Sequence, residues 1–300
     1  MLCDHCEESG RVPSEKRPGK TVQCPKCKGD GFKLKSYTRT TTYIDVIEDK
    51  SNLDKWGDRM VLLGVAMDPK LTNGALEIDR DARDGKDELN RRAQVAKNLA
   101  GASDKADKGT FLHGLSELRD MGEHLPPEIS FEDVLDMAAY SEVTKHMGHK
   151  HMEKLVVHDE LKIGGTPDRV SFWLGPDELV APDGQVIKDN LITDLKTGTT
   201  EYGGLKMCMQ LAIYSRSKLY DWKTGRRTPL VSVNQDWGII TNVPAGSGEA
   251  TLYWADLQLG WAAVLVAKEV RRLRSQSRHA LTEIVAYRTR DGVISVRGSV

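Results

Sequence analysis

A chain of 300 residues is long enough to bury a full core and to carry an appendage, and its net charge of -1 excludes a global basic field, so a nucleic-acid partner would have to meet local patches. No apolar run is long enough to cross a bilayer, and the opening Met1-Leu-Cys3-Asp-His5-Cys6 lacks the basic-then-apolar layout of a signal peptide. A soluble cytoplasmic protein without membrane contact is the expectation.

Residues 1–35 read as a separate module. Cys3-x-x-Cys6 and Cys24-x-x-Cys27 stand 17 residues apart, the spacing of a four-thiolate zinc site in which two knuckles complete a tetrahedron. The second knuckle, Cys24-Pro-Lys-Cys27-Lys-Gly29-Asp-Gly31, resembles the repeat of the DnaJ-type zinc domain, while the first keeps Gly10 and has Glu8 in place of the other glycine. That resemblance implies a structural Zn²⁺ and carries no chaperone activity with it. Disulfides and His5 as a ligand are the alternatives. From Arg11 to Arg39 there are nine Lys or Arg against Glu15 and Asp30, a run that serves either as a solvated face or as a phosphate contact.

The remainder, 36–300, reads as the main domain. β-Branched residues dominate from Tyr37 to Ile47, and apolar residues recur at helical spacing from Leu53 to Ala66. Asp79 to Lys108 is dense in charge, predicting exposed helices or a connection with Leu89 to Leu99 helical. A helix over Lys108 to Arg119, capped near Ser103 or Asp104, would bury Phe111, Leu112, Leu115 and Leu118, with His113 and Glu117 four apart on another face. A second helix over Ser130 to His146 would turn Phe131, Val134, Leu135, Ala138 and Val143 inward. His146, His149 and His151 fit no standard zinc-helix spacing and read as a solvated turn.

Glu153 to Val157 reads as the first core strand, with Glu160 to Ile163 continuing it or starting a hairpin. Gly165-Thr-Pro-Asp168-Arg-Val and Ile192-Thr-Asp194-Leu-Lys196-Thr-Gly198 are two more short strands, linked through the turn signal Pro182-Asp183-Gly184. The two-residue period of a strand puts Asp194 and Lys196 on one face, and Asp168 falls in the middle of the strand before. Neighbouring strands would thus bring two carboxylates and an amine together. Carboxylate oxygens hold a hard cation such as Mg²⁺, and the amine orients or deprotonates a water, which is what phosphodiester hydrolysis requires.

Gly203-Gly204 opens a helix through Leu219, with Lys206, Gln210 and Tyr214 along one face and Leu205, Met209, Ala212 and Ile213 along another. That polar row would face either a catalytic centre or solvent. Cys208 reads as a core thiol. Strands are expected within Leu230 to Asn242 and over Thr251 to Asp256, and a closing helix over Leu257 to Ser275 whose basic end places Lys268, Arg271, Arg272, Arg274 and Arg278 against Glu269.

Four motifs in order, Gly109-Thr110-x-x-His113-x-x-x-Glu117, Gly165-Thr-Pro-Asp168, Asp194-Leu-Lys196-Thr-Gly198 and Gln210-x-x-x-Tyr214, resemble the RecB-like branch of the PD-(D/E)xK nucleases over about residues 36 to 275. Thr40-Thr-Thr-Tyr-Ile with Leu53-x-x-Trp56 is similar to the opening of phage-encoded members. The resemblance implies an α/β, restriction-endonuclease-like core, a small mixed sheet flanked by helices, behind the N-terminal four-cysteine zinc ribbon. It implies a metal-dependent deoxyribonuclease, an exonuclease working on phage DNA in recombination, repair or replication, in the host cytoplasm and beside other proteins of those processes. His113, Asp168, Asp194 and the backbone carbonyl of Leu195 would hold Mg²⁺ or Mn²⁺, and Lys196 would be the base or water-orienting group. Gln210 and Tyr214 would position the lysine or the scissile phosphate, and Glu153 is a candidate further acid. The C-terminal region carries no cysteine, so the iron–sulfur cluster of the CRISPR adaptation nucleases is not expected. An endonuclease, a DNA-binding accessory protein that keeps the fold with weak cleavage, and a DnaJ-like interaction protein are the alternatives.

Overall fold

The computed structural model describes residues 11–14, 20–25, 36–200, 203–277 and 280–281, together with the backbone of 286–289 and 292–295. Near the N-terminus, β1 (Arg11–Pro13) and β2 (Thr21–Gln23) form an antiparallel hairpin with Val12 opposite Val22. Cys24, just after β2, is buried; the other three expected zinc ligands, Cys3, Cys6 and Cys27, lie outside the described residues.

The main body begins with β3 (Thr38–Arg39), α1 (Thr40–Ile44) and α2 (Ser51–Met67), the last where apolar spacing predicts a helix. The charged stretch that follows is ordered as α3 (Arg83–Leu99), longer than the Leu89 to Leu99 piece. It pairs with α2 at Gly64, where a Cβ would fall 1.9 Å from the Ala96 carbonyl oxygen, so only glycine permits that approach.

Next come α4 (Asp104–Asp120) and α5 (Phe131–Thr144), the latter capped by the Ser130 side chain accepting from the Asp133 N–H. Within α4, Leu112 and Leu115 are buried as expected, but Phe111 is exposed. The inward face expected for α5 is reversed: Phe131 is 74% exposed, Val134 and Leu135 are exposed too, and the buried side carries Asp133, Asp136, Met137, Tyr140 and Thr144. Partners explain the reversal. Lys108 pairs with Asp133, and Asp136 accepts backbone N–H bonds from Gly246 at 2.7 Å and Gly248 at 2.8 Å, so burying these carboxylates leaves neither unmatched.

A strand, β4 (Met147–Met152), occupies the stretch read as a solvated histidine turn. It pairs antiparallel with a later strand, and its alternation carries His149 inward to polar partners. After it come β5 (Val156–His158) and β6 (Ile163–Gly165), so Glu153 sits between strands, at φ 46°, and not at the head of one. The sequence continues with β7 (Arg169–Trp173), β8 (Leu191–Lys196), α6 (Gly204–Ser215), β9 (Lys218–Tyr220), β10 (Arg227–Pro229), β11 (Trp237–Asn242), β12 (Thr251–Asp256) and α7 (Leu257–Gln276). Helix α6 therefore stops short of Leu219, which belongs to β9. Beyond α7 the backbone forms one more hairpin, β13 (Ala286–Thr289) with β14 (Gly292–Ser295), so α7 does not close the chain.

The architecture is α/β with mixed sheets. One five-stranded sheet runs β12-β11-β8-β7-β4, parallel at β11 with β8 and antiparallel elsewhere; the other runs β10-β9-β5-β6-β3, parallel at β3 with β6. Strand β8 is central to the first sheet and is buried on both faces. Ile192 packs with Met209 and Leu211 of α6, whereas Leu195, of opposite parity, packs with Leu112, Leu115, Met137 and Tyr140 of α4 and α5. Asp194 and Lys196 share the parity of Ile192 and so stand on the α6 side. Helix α7 lies against α6 so closely that a Cβ on Gly260 would come within 2.3 Å of the Cys208 carbonyl oxygen, with Cys208 itself half-buried against the core. The basic end of α7 is largely spoken for: Arg272 pairs with Glu269, Lys268 reaches Glu160, and Arg271 lies 4.7 Å from the Tyr43 ring centre. Among the described residues no helix is long and apolar enough to cross a membrane.

Candidate active site

Asp168 is the last residue before β7, not the middle of a strand, and β7 is the antiparallel neighbour of β8 with Arg169 opposite Thr193. That pairing brings Asp168 level with the end of β8. Its Oδ2 accepts the Leu195 backbone N–H at 2.7 Å and lies 3.3 Å from His113 Nδ1, delivered by α4. Helix α4 passes close to the end of β8 because Gly109 has no side chain: a Cβ there would meet Thr197 Oγ1 at 2.8 Å. Lys196 pairs with Asp194 Oδ2, and Gln210 on α6 donates to Asp194 Oδ1 at 3.2 Å, with the Tyr214 hydroxyl 3.5 Å from the same amide nitrogen. His113, Asp168, Asp194, Lys196, Gln210 and Tyr214, scattered over about a hundred positions of sequence, thus form one connected cluster.

The two aspartates are shifted in opposite directions. Burial alone would push Asp168 up, yet the His113 imidazole and the Leu195 N–H hold it below the usual carboxylate value. Asp194 is fully buried, and burial together with the Asp168 charge pushes it up to about 6 against the pull of Lys196. Burial by itself would lower His113, but Asp168 and then Asp194 outweigh it and raise the imidazole above its usual value. Glu153 joins the same field: burial and the charges of Asp168 and Glu117 push it up to about 7, and its backbone N–H bonds the Asp168 carbonyl at 3.0 Å. Burial of Tyr214 pushes its hydroxyl up to about 12, so it remains a neutral donor.

Whether these residues suit a cation is decided by their bonding. Among the described residues no three His, Cys, Asp or Glu side chains already converge as a cage, because the carboxylate oxygens turn to His113, Leu195, Gln210 and Lys196. One oxygen is held by ion pairing alone. Asp194 Oδ2 is buried and, although the Lys196 ammonium lies beside it, accepts no hydrogen bond of good geometry. Two repelling carboxylates, an imidazole and a buried oxygen that a cation could share with the Lys196 ammonium fit a hard divalent ion.

Directly behind the cluster lies a network the sequence did not reveal. Arg169, next to Asp168 and therefore pointing to the opposite face, pairs with Asp120 and donates to Ser116 Oγ at 2.7 Å. Asp120 also accepts from the Tyr140 hydroxyl at 2.8 Å and stands 3.3 Å from His149 Nε2, while His149 Nδ1 meets Ser171 Oγ at 3.0 Å. The one available signal was an arginine in an otherwise buried strand, which demands an acid without naming it.

Gly165 sets the position of Tyr214. A Cβ there would meet Thr40 Oγ1 and the Tyr214 ring and hydroxyl, all at 2.7 Å, and that tyrosine is buried. Gly165→Ala is expected to cost about 1–3 kcal/mol of stability and to displace Tyr214 from Gln210. Urea unfolding checks the first effect; an unchanged midpoint would show that the tyrosine has room to move.

No protein-family model and no curated protein matches the chain. The functional reading therefore rests on the residues and their geometry.

Proposed function

We propose that the chain is a divalent-metal-dependent nuclease that hydrolyses DNA phosphodiester bonds, with His113, Asp168 and Asp194 as ligands. The observation that carries this reading is the convergence of an imidazole from α4, two carboxylates from the ends of adjacent strands and the Lys196 ammonium, which is ion-paired to a buried oxygen of Asp194. In this proposal the mixed sheet around β8 is a restriction-endonuclease-like core, the Leu195 carbonyl and Glu153 complete the ligand set, and Cys3, Cys6, Cys24 and Cys27 hold a structural Zn²⁺. An exonuclease of phage DNA recombination, repair or replication is the form we favour, without an iron–sulfur cluster.

When bound, Mg²⁺ or Mn²⁺ supplies positive charge to the phosphoryl oxygens and acidifies a coordinated water. The chain's own groups do the rest. Lys196, whose side chain is 27% exposed, sits beside Asp194 where it can hold or deprotonate the attacking water. Gln210 holds Asp194 Oδ1 and the Leu195 N–H holds Asp168 Oδ2, which anchors both carboxylates beside the end of β8. The Tyr214 hydroxyl remains a donor at neutral pH, suited to a phosphate oxygen.

Labelled linear and circular DNA incubated with the protein in Mn²⁺ tests the proposal: eroded ends mean an exonuclease and nicked circles an endonuclease. Lys196→Ala is expected to slow cleavage at least ~100-fold in a chain that remains folded, as its circular dichroism checks. Wild-type turnover in that variant would remove Lys196 from the site. One observation favours a second reading, a DNA-binding accessory protein: Asp168 and Asp194 are already matched by His113 and Lys196, a charge-balanced arrangement. DNA binding with no cleavage in either metal would select it.

A further inference from the structure

Beside the cluster lies a cavity of about 500 Å³ whose walls include Gln210 and Tyr214, the same residues that reach Asp194 and its neighbours. Its size suits one nucleotide-scale occupant. Its lining is aromatic: Tyr37, Tyr220 and Trp222 join Tyr214, and between them stand the polar groups of Thr40, Thr41, Thr166 and Gln210. Trp222 is 58% exposed and Arg39 is exposed, which places an indole face and a guanidinium at the rim.

Tyr37 and Tyr220 are held in place by their neighbours, while Trp222 is exposed with the Lys223 ammonium 5.6 Å from its ring centre. Tyr37 and Tyr220 meet edge to face at 5.6 Å between ring centres, and the Arg227 guanidinium lies 4.7 Å from the centre of Tyr220. Arg227 also donates to the Tyr37 hydroxyl at 2.5 Å and to Asp159 at 3.0 Å, and Tyr37 donates to Asp159 at 2.6 Å. The floor is made of Gly164 and Gly165, where side chains would strike Tyr37 and Tyr214. Thr40 and Gln210 already donate to the Gly164 carbonyl and to Asp194, but a greasy ligand would leave the Thr41 and Thr166 hydroxyls facing apolar atoms, whereas a nucleobase offers a flat π-face to the rings and a polar edge to those groups.

We propose that this cavity is a nucleobase-binding subsite in which an unpaired base adjoining the cleaved phosphate stacks on the aromatic wall, with Trp222 as the exposed stacking face. The inference rests on the nuclease reading for its substrate and adds to it a requirement: the nucleotide next to the scissile bond must be out of a duplex. A paired base presents only its edges and cannot enter between the rings.

The test uses the full chain carrying Lys196→Ala, so that DNA is bound and not consumed, and measures fluorescence anisotropy with a labelled oligothymidine, the same strand with abasic residues, and a blunt duplex. Adding Trp222→Ala is expected to weaken oligothymidine binding about tenfold, with Trp222→Phe restoring most of it. The abasic strand, which keeps the phosphates and loses the base, is expected to bind equally well whether or not Trp222→Ala is present. Equal oligothymidine affinity with and without the indole would overturn the proposal, as would an equal loss for the abasic strand, or no binding of any strand. Wild-type protein that cuts nothing while the indole dependence persists would remove the nuclease reading and leave the subsite standing. Cleavage without that dependence would remove the subsite alone.

Discussion

Asp194→Asn is expected to abolish DNA cleavage and, in metal-free buffer at neutral pH, to raise the melting temperature. The charge on Asp194 is costly in the folded chain: the side chain is fully buried, Asp168 repels it, and the carboxyl is pushed up to about 6 from 3.8. Such a shift corresponds to about 3 kcal/mol of destabilisation above pH 6, because one pKa unit is worth ~1.4 kcal/mol. Asparagine keeps the shape and the oxygen that accepts from Gln210, and Lys196, partly exposed, turns to water for a partner. Discounting for the lost lysine pair leaves a gain of about 1–2 kcal/mol, or ~2–8 °C in a chain of this size. Activity is expected to move the other way, by at least ~10³-fold, since a neutral amide is a poor ligand for a hard cation. Melting curves in EDTA and digestion in Mn²⁺ give the two readings from one preparation. A variant that is less stable and equally active would mean that Asp194 is an ordinary ion-pair partner of Lys196.

Opposite effects on stability and activity would mark a group placed for chemistry, and Asp194 stands out in the sequence because the pattern around it is local. Asp194 and Lys196 two apart on a strand, with Pro167-Asp168 before them, is a pattern that strand periodicity alone turns into geometry. His113, Gln210 and Tyr214 stand out only through the resemblance in motif order, since helical spacing alone leaves each of them equally well facing solvent. Where the reading failed, the deciding interaction was non-local. Helix α5 carries a clean apolar stripe that sequence turns inward, yet its aspartates are the buried side because Lys108 and the N–H groups of Gly246 and Gly248 are waiting for them. His149, on β4, reads as solvated until Asp120, at the end of α4, is found beside it. Glu153 has the composition of a strand around it and a left-handed backbone at its own position, set by the Asp168 carbonyl it bonds.

Asp120→Ala is expected to be the most damaging substitution outside the cluster of His113, Asp168, Asp194 and Lys196. The carboxylate is the shared acceptor of the Arg169 guanidinium and the Tyr140 hydroxyl and the neighbour of His149, and the Arg169 side chain is only 5% exposed. Removing the acid strands a buried cation, which costs about 3–5 kcal/mol against a total stability of about 5–15 kcal/mol. Because Arg169 adjoins Asp168, cleavage is expected to fall along with the fold. The acid limb supplies an independent check. Burial pushes Asp120 up, but His149 and Arg169 together prevail and hold it below 3.8. Its stabilising contribution is therefore complete above the unfolded carboxylate value and is lost as pH falls through the lower folded one. Urea midpoints should drop steeply below about pH 4 in the wild type and less steeply in Asp120→Asn, which has no such proton to gain. If the cost lies in the orphaned charge, the double variant Asp120→Leu with Arg169→Met should recover most of what Asp120→Ala loses, because two matched apolar groups replace the pair. Recovery of less than ~1 kcal/mol would instead locate the loss in Tyr140 and His149, whose bonds to Asp120 the double variant also removes.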